Sequence, residues 1–100
     1  MKLITKEIEK SVPALYATED VDTPDKRVIA KFFTPWSNWT WYMTEYDPND
    51  RLAFGYVVGT FPEWGYFSIA ELESVKGPWG LKIERDIHFT PKRFADLNLN

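Results

Sequence analysis

The stretch "WTWYMTEYDPNDRLAFGYVVG", residues 39–59, decides how this chain folds. Its centre, Asp47-Pro48-Asn49-Asp50, is turn chemistry: aspartate suits the first position, proline presets φ at the second and asparagine tolerates the third. β-Branched and aromatic residues flank it, which predicts a hairpin of strand 39–46 on strand 52–59. With Pro48 and Asn49 central, Met43 opposes Phe54, Tyr42 opposes Gly55, Trp41 opposes Tyr56 and Trp39 opposes Val58. Side chains alternate along a strand, so one face collects Trp39, Trp41, Met43, Phe54, Tyr56 and Val58. The other face collects Thr40, Tyr42, Thr44, Tyr46 and the small residues opposite them. The first face is the natural core, because each buried aromatic removes about 150–250 Å² from water. Glycine opposite Tyr42 leaves room for its ring to lie across the neighbouring strand. Gly55 and Gly59 would also permit a bulge, which would redistribute the faces.

Outward from the hairpin, Thr5 is placed to cap a helix over Lys6–Val12, and Pro13 stops it. "ATEDVDTPDKR", residues 17–27, is a polar, acid-rich surface loop, and "VIAKFFT", residues 28–34, reads as a strand. Pro62-Glu63-Trp64-Gly65 reads as a turn into a short strand "YFS". Ser68 followed by Glu71 is a capping box, so a helix is predicted from Ile69 to Lys76, ended by Gly77-Pro78. "LKIERDIHF", residues 81–89, reads as a strand with Leu81, Ile83, Ile87 and Phe89 on one face. Thr90-Pro91 would open a last helix over Lys92–Leu97. The expectation is one α+β domain: an antiparallel sheet of four to five strands with short helices at the N-terminus, after the fourth strand and at the C-terminus.

Composition narrows the function. One hundred residues, 44% hydrophobic and 17% aromatic, can build a core unaided. There is no cysteine, hence no disulfide framework or thiolate chemistry. The N-terminus has no apolar run of signal length and nothing approaches a membrane span, so a cytoplasmic address without membrane contact is expected. A net charge of −3 disfavours an electrostatic nucleic-acid binder. No phosphate loop, nucleophile elbow or His-Glu-x-x-His is present.

Three tryptophans, Trp36, Trp64 and Trp79, fall in predicted loops beside proline or glycine. Each can fold back as a lid over the core; together with Tyr42 and Tyr46 they can instead form an interaction surface for a protein partner. Glu84, Asp86 and His88 alternate along the last predicted strand and share a face, as a divalent-metal or acid–base set would. Their simpler account is the solvated face of a half-buried strand, and His88 is the one histidine in the chain. Asn38-Trp39-Thr40 fits the glycosylation pattern without a secretion signal to support it. The acids at 19–25 and at Glu45, Asp47 and Asp50 could imitate phosphates, though such charges ordinarily solvate loops.

The runs "IAKFFTPWSNWTWYMTEYDP" and "GYFSIAELESVKGPWGLKIERDIHF" carry a resemblance. Through them nearly the whole chain is similar to a family of small bacterial proteins, the domain of unknown function 2958 family. Its members are familiar from plasmids, integrated conjugative elements and phage-related regions, and it carries no assigned activity or catalytic residues. The resemblance implies a cytoplasmic accessory protein of mobile DNA. The leading expectation is therefore a non-catalytic interaction module acting through a protein partner, without cofactor. The alternatives are single-stranded nucleic-acid binding by aromatic stacking, served by Arg27, Lys31, Lys82 and Arg85, and a small metal-dependent enzyme built on Glu84, Asp86 and His88.

Overall fold

The computed structural model describes residues 1–99. Its elements are α1 (Lys6–Ser11), β1 (Arg27–Val28), β2 (Ala30–Phe33), β3 (Thr40–Asp47), β4 (Leu52–Val58), β5 (Pro62–Ser68), α2 (Ile69–Ser74), β6 (Glu84–Arg85) and β7 (Lys92–Arg93). β5-β4-β3-β2-β6 make one antiparallel sheet, and β1 pairs with β7 in a separate ribbon. The expected antiparallel sheet with short helices is present, and sheet dominates. No helix among the described residues is long and apolar enough to cross a membrane.

Both expected N-caps form. Thr5 Oγ1 accepts from the Ile8 amide at 3.1 Å and Ser68 Oγ from the Glu71 amide at 3.1 Å. Ser68 pairs with Leu52 at the end of the β4–β5 ladder, and of the capping box the half that Ser68 accepts is present among the described residues.

The hairpin register departs from expectation in two steps. The turn is two residues longer: Asp47 pairs with Leu52, not Asp50. Asp47 Oδ1 accepts from the Asn49 amide at 3.0 Å and Arg51 takes a left-handed φ of 51°, which makes a four-residue connection. A shift of two would have kept the faces. The second step changes them: Glu45 opposes Phe54 but Met43 opposes Gly55, so Thr44 is an extra residue in β3. Its hydroxyl donates to the Phe54 carbonyl at 3.1 Å. Beyond this bulge Trp41 faces Val57 and Tyr42 faces Tyr56.

Phe54 and Tyr56, expected in the core, consequently stand on the opposite face. Tyr46, expected opposite the core, lies in it with Trp41, Met43, Phe32, Phe67 and Ile69. Gly55 makes the bulge feasible: a Cβ there would fall 1.8 Å from the Tyr42 carbonyl oxygen.

Other boundaries moved for local reasons. The strand expected over 28–34 divides at Ile29, its first part pairing with β7 and its second with β3 and β6. The link after β4 is Gly59-Thr60-Phe61, and the expected turn 62–65 is strand, with Pro62 opening β5 at the sheet edge where a missing amide is tolerated. The strand expected over 81–89 shrinks to β6. Asp86 turns the chain by accepting from the His88 amide at 2.9 Å and from the Phe89 amide at 3.2 Å, which leaves Ile87 exposed. The expected C-terminal helix is β7 followed by one 3-10 turn, Phe94–Leu97, because the Phe94 amide bonds to the Lys26 carbonyl at 2.8 Å.

Glu73 in α2 ties three segments together. Its carboxylate accepts from the Leu3 amide at 3.1 Å and pairs with Arg51 Nη1 at 2.9 Å. The Arg51 guanidinium, and then the Leu3 amide, hold the Glu73 carboxyl below its ordinary value against some desolvation.

Trp41→Ala is expected to cost about 3–5 kcal/mol in denaturant titration. Gly55→Ala should lie at the upper end of about 1–3 kcal/mol, although the change adds a single methyl; an unperturbed midpoint would contradict the close approach. For pH, the Glu73 contribution is fully present above its ordinary value of 4.5 and is lost as pH falls through the lowered folded value. Melting temperatures of the native chain and Glu73→Gln should therefore differ near neutrality and converge in acid.

Candidate functional site

Antiparallel topology brings the β2–β3 and β4–β5 loops to one end of the sheet. There Trp39 lies on Gly59, where a Cβ would come within 2.3 Å of its ring, and packs on Trp41 with centroids 5.8 Å apart. Thr34 shapes this loop: its hydroxyl bonds to that of Ser37 and accepts from the Trp39 amide at 3.2 Å. The segment 77–80 joins the same end, since Gly77 sits over the Trp36 ring, 2.5 Å from where a Cβ would be. Two residues on, Trp79 is 93% exposed and held at φ 54°, between Pro78 and the left-handed Gly80. Positive φ is uncommon for a bulky residue and carries strain. Phe61 is 76% and Trp39 42% exposed. Large aromatics thus stand in water at one end of the sheet.

A second aromatic surface covers the sheet face opposite the core. Phe54, Trp64 and Tyr66 line up on β4 and β5, with Phe54–Trp64 centroids 5.9 Å apart and Phe54–Tyr66 5.0 Å apart. Phe94 closes one side against Tyr56 and Trp64, both at 4.9 Å. Tyr16 closes the other, edge-on to Tyr66 at 6.5 Å. Between them lies a cavity of about 270 Å³ whose lining includes Tyr16, Glu19, Lys26, Glu45, Trp64 and Tyr66.

Glu45 builds this cleft. Its side of β3 faces the loop after α1, and the residue is only 3% exposed. Oε1 accepts from the Tyr16 amide at 2.8 Å, and Oε2 from the Thr18 amide at 3.1 Å and the Thr18 hydroxyl. The loop is wrapped on a buried carboxylate, and Tyr16 takes φ 70° to reach it. A buried charge persists only when hydrogen-bonded or paired, and here neutral donors do that work. The Tyr66 phenol is pushed up first by the neighbouring Tyr16 hydroxyl, then by burial, with Glu45 and Glu19 adding.

The residues expected to form one surface are dispersed. Tyr42 is 7% exposed and Tyr46 is in the core, so neither reaches a surface. The physical reason is that both faces of β3 are covered, and the bulge turns Tyr46 inward. The Tyr42 phenol is raised by burial and then by Asp86, and Lys31 lies 5.9 Å from its ring centre. Trp36 is half-buried beneath Gly77, Trp64 belongs to the cleft and Trp79 to the loop end.

Glu84, Asp86 and His88 do not converge, because the strand stops at Arg85. Among the described residues no group of three or more acidic, histidine or cysteine side chains is arranged to hold a metal. The cations invoked for nucleic acid are engaged internally. Lys31 pairs with Asp86 at 3.6 Å, Arg85 donates to the Lys2 and Leu3 carbonyls, Lys82 to the Glu73 carbonyl and Arg27 to the Pro91 carbonyl.

Residues 3–96 match the family described as Protein of unknown function (DUF2958). The chain belongs to that family. The DUF2958 match spans both helices and all the strands given above, and so contains both aromatic surfaces. Comparison with curated proteins finds no match, and comparison with solved structures finds none.

Sequence reading missed the cleft. It counted Glu45 with the solvating acids of the hairpin, because Thr44, Tyr46 and Asp47 around it give no local sign that a distant loop will cover its carboxylate. Nothing in the sequence around Tyr16 announces its left-handed φ. Buried bonds to a charged group contribute about 1.5–3 kcal/mol, so Glu45→Ala is expected to destabilise by on the order of 3 kcal/mol. Amide exchange at Tyr16 and Thr18 should then rise beyond the rest of the chain; uniform exchange would show that Glu45 does not hold the loop.

Proposed function

We propose that this DUF2958 protein is a non-catalytic interaction module that docks on a protein partner through the aromatic loop end, with Trp79 as the anchor. The observation that carries the reading is Trp79 itself, 93% exposed and held at φ 54°. Leaving an indole in water forgoes one of the largest apolar contributions a side chain makes, and a strained backbone persists where a function uses it. Phe61 and Trp39 at the same end supply the further aromatic area that interface centres favour. With it we propose the setting that the resemblance implies, a cytoplasmic accessory of plasmid, conjugative-element or phage-derived DNA.

Trp79→Ala is expected to change stability by less than about 0.5 kcal/mol, as exposed positions do. A photoreactive phenylalanine analogue at position 61 should cross-link one discrete protein in the host cell, and Trp79→Ala should abolish that product. Absence of the product from the native chain, or its persistence in Trp79→Ala, overturns the reading.

A further inference from the structure

The cleft over the opposite sheet face is a separate surface with a chemistry of its own. We propose that the pocket walled by Tyr16, Phe54, Trp64 and Tyr66 receives a cationic side chain, arginine or lysine, presented by a peptide segment of a protein partner. Aromatic faces carry negative quadrupole density and attract cations placed within about 6 Å. Here the rings converge on one cavity that Glu45 and Glu19 also line. Glu45 is solvated by the neutral donors of Tyr16 and Thr18, so its charge is not cancelled by its hydrogen bonds. The Tyr66 phenol, pushed up first by the Tyr16 hydroxyl and then by burial, is pushed up further by Glu45 and Glu19.

One cation already lines the cavity. Lys26 holds its ammonium on the Thr18 carbonyl at 2.5 Å and lies 3.4 Å from the Thr18 hydroxyl. Two carboxylates against one ammonium still leave the lining net negative. The volume, about 270 Å³, lies at the small end for ligand sites and admits one side chain. Tyr16 and Tyr66 are both more than half exposed, so the mouth is open to a chain passing outside. Arginine fits best, because its guanidinium is flat, weakly hydrated and stacks on rings.

The test follows the Trp64 indole N–H and the Tyr16 amide of the full chain by NMR. The probe is an acetylated, amidated glycyl-arginyl-glycine peptide, compared with the same peptide carrying norleucine. Saturable shifts at both reporters with the arginine peptide alone are expected, and Tyr66→Ala should remove them. Glu19→Gln should weaken binding about threefold and Lys26→Gln strengthen it about threefold, opposite signs that a purely steric site would not produce. Equal response to norleucine, no response up to the solubility of the peptide, or charge variants that leave affinity unmoved would overturn the proposal. Cross-linking at position 61 is read independently, so failure here and failure of docking at Trp79 are told apart.

Discussion

The bulge at Thr44 requires the Tyr42 carbonyl to approach β4 more closely than any side chain there would permit, and Gly55 is what allows it. From that one extra residue the two faces of the sheet are sorted. Trp41 and Met43 enter the core from one side of the bulge and Tyr46 from the other. Phe54 and Tyr56 are sent to the opposite face, where with Trp64 and Tyr66 they form an aromatic layer. Without the bulge those rings would compete for the core and the second face would carry small and hydroxylated residues.

A sheet with aromatic side chains on both faces needs two covers. α1, α2 and the segment through Ile83 close the core side, and Glu73 fastens Leu3 and Arg51 to α2. On the other side no long helix is available among the described residues, so the chain uses its own irregular segments. The loop after α1 is held by the Glu45 carboxylate and by the Tyr46 amide bonding to the Pro13 carbonyl at 2.9 Å. The C-terminal segment is held by the β1–β7 ribbon and by Phe94. A loop packed on a buried charge is a polar cover, and it leaves Tyr16, Trp64 and Tyr66 partly open to water. The cleft results from covering an aromatic face with a loop instead of a helix.

The two aromatic surfaces differ in kind. The loop end presents rings held by glycines that let Trp36 and Trp39 pack on backbone. The cleft sets rings beside carboxylates. The first suits apolar docking; the second suits a cation.

The amino-acid sequence by itself determined the local events: both N-caps, the break at Pro13, the hairpin and its approximate ends, and the burial of Trp41. Each depends on neighbours a few residues away, so residue type and spacing suffice. The sequence also carried the family, through blocks that run almost its whole length. Tertiary structure decided the rest. The register depended on a close approach between Gly55 and the Tyr42 carbonyl, which is a property of two strands and not of either. The short extent of β6 depended on Asp86 turning the chain and pairing with Lys31 of another strand. Where each tryptophan packs depended on which glycine lay beneath its ring: Gly77 takes Trp36, Gly59 takes one side of Trp39 and leaves the other in water, and Trp79 stays exposed. The cleft was hidden for the same reason, since it joins Tyr16 and Glu45, residues 29 apart, through a hydrogen bond that only the folded chain brings within reach.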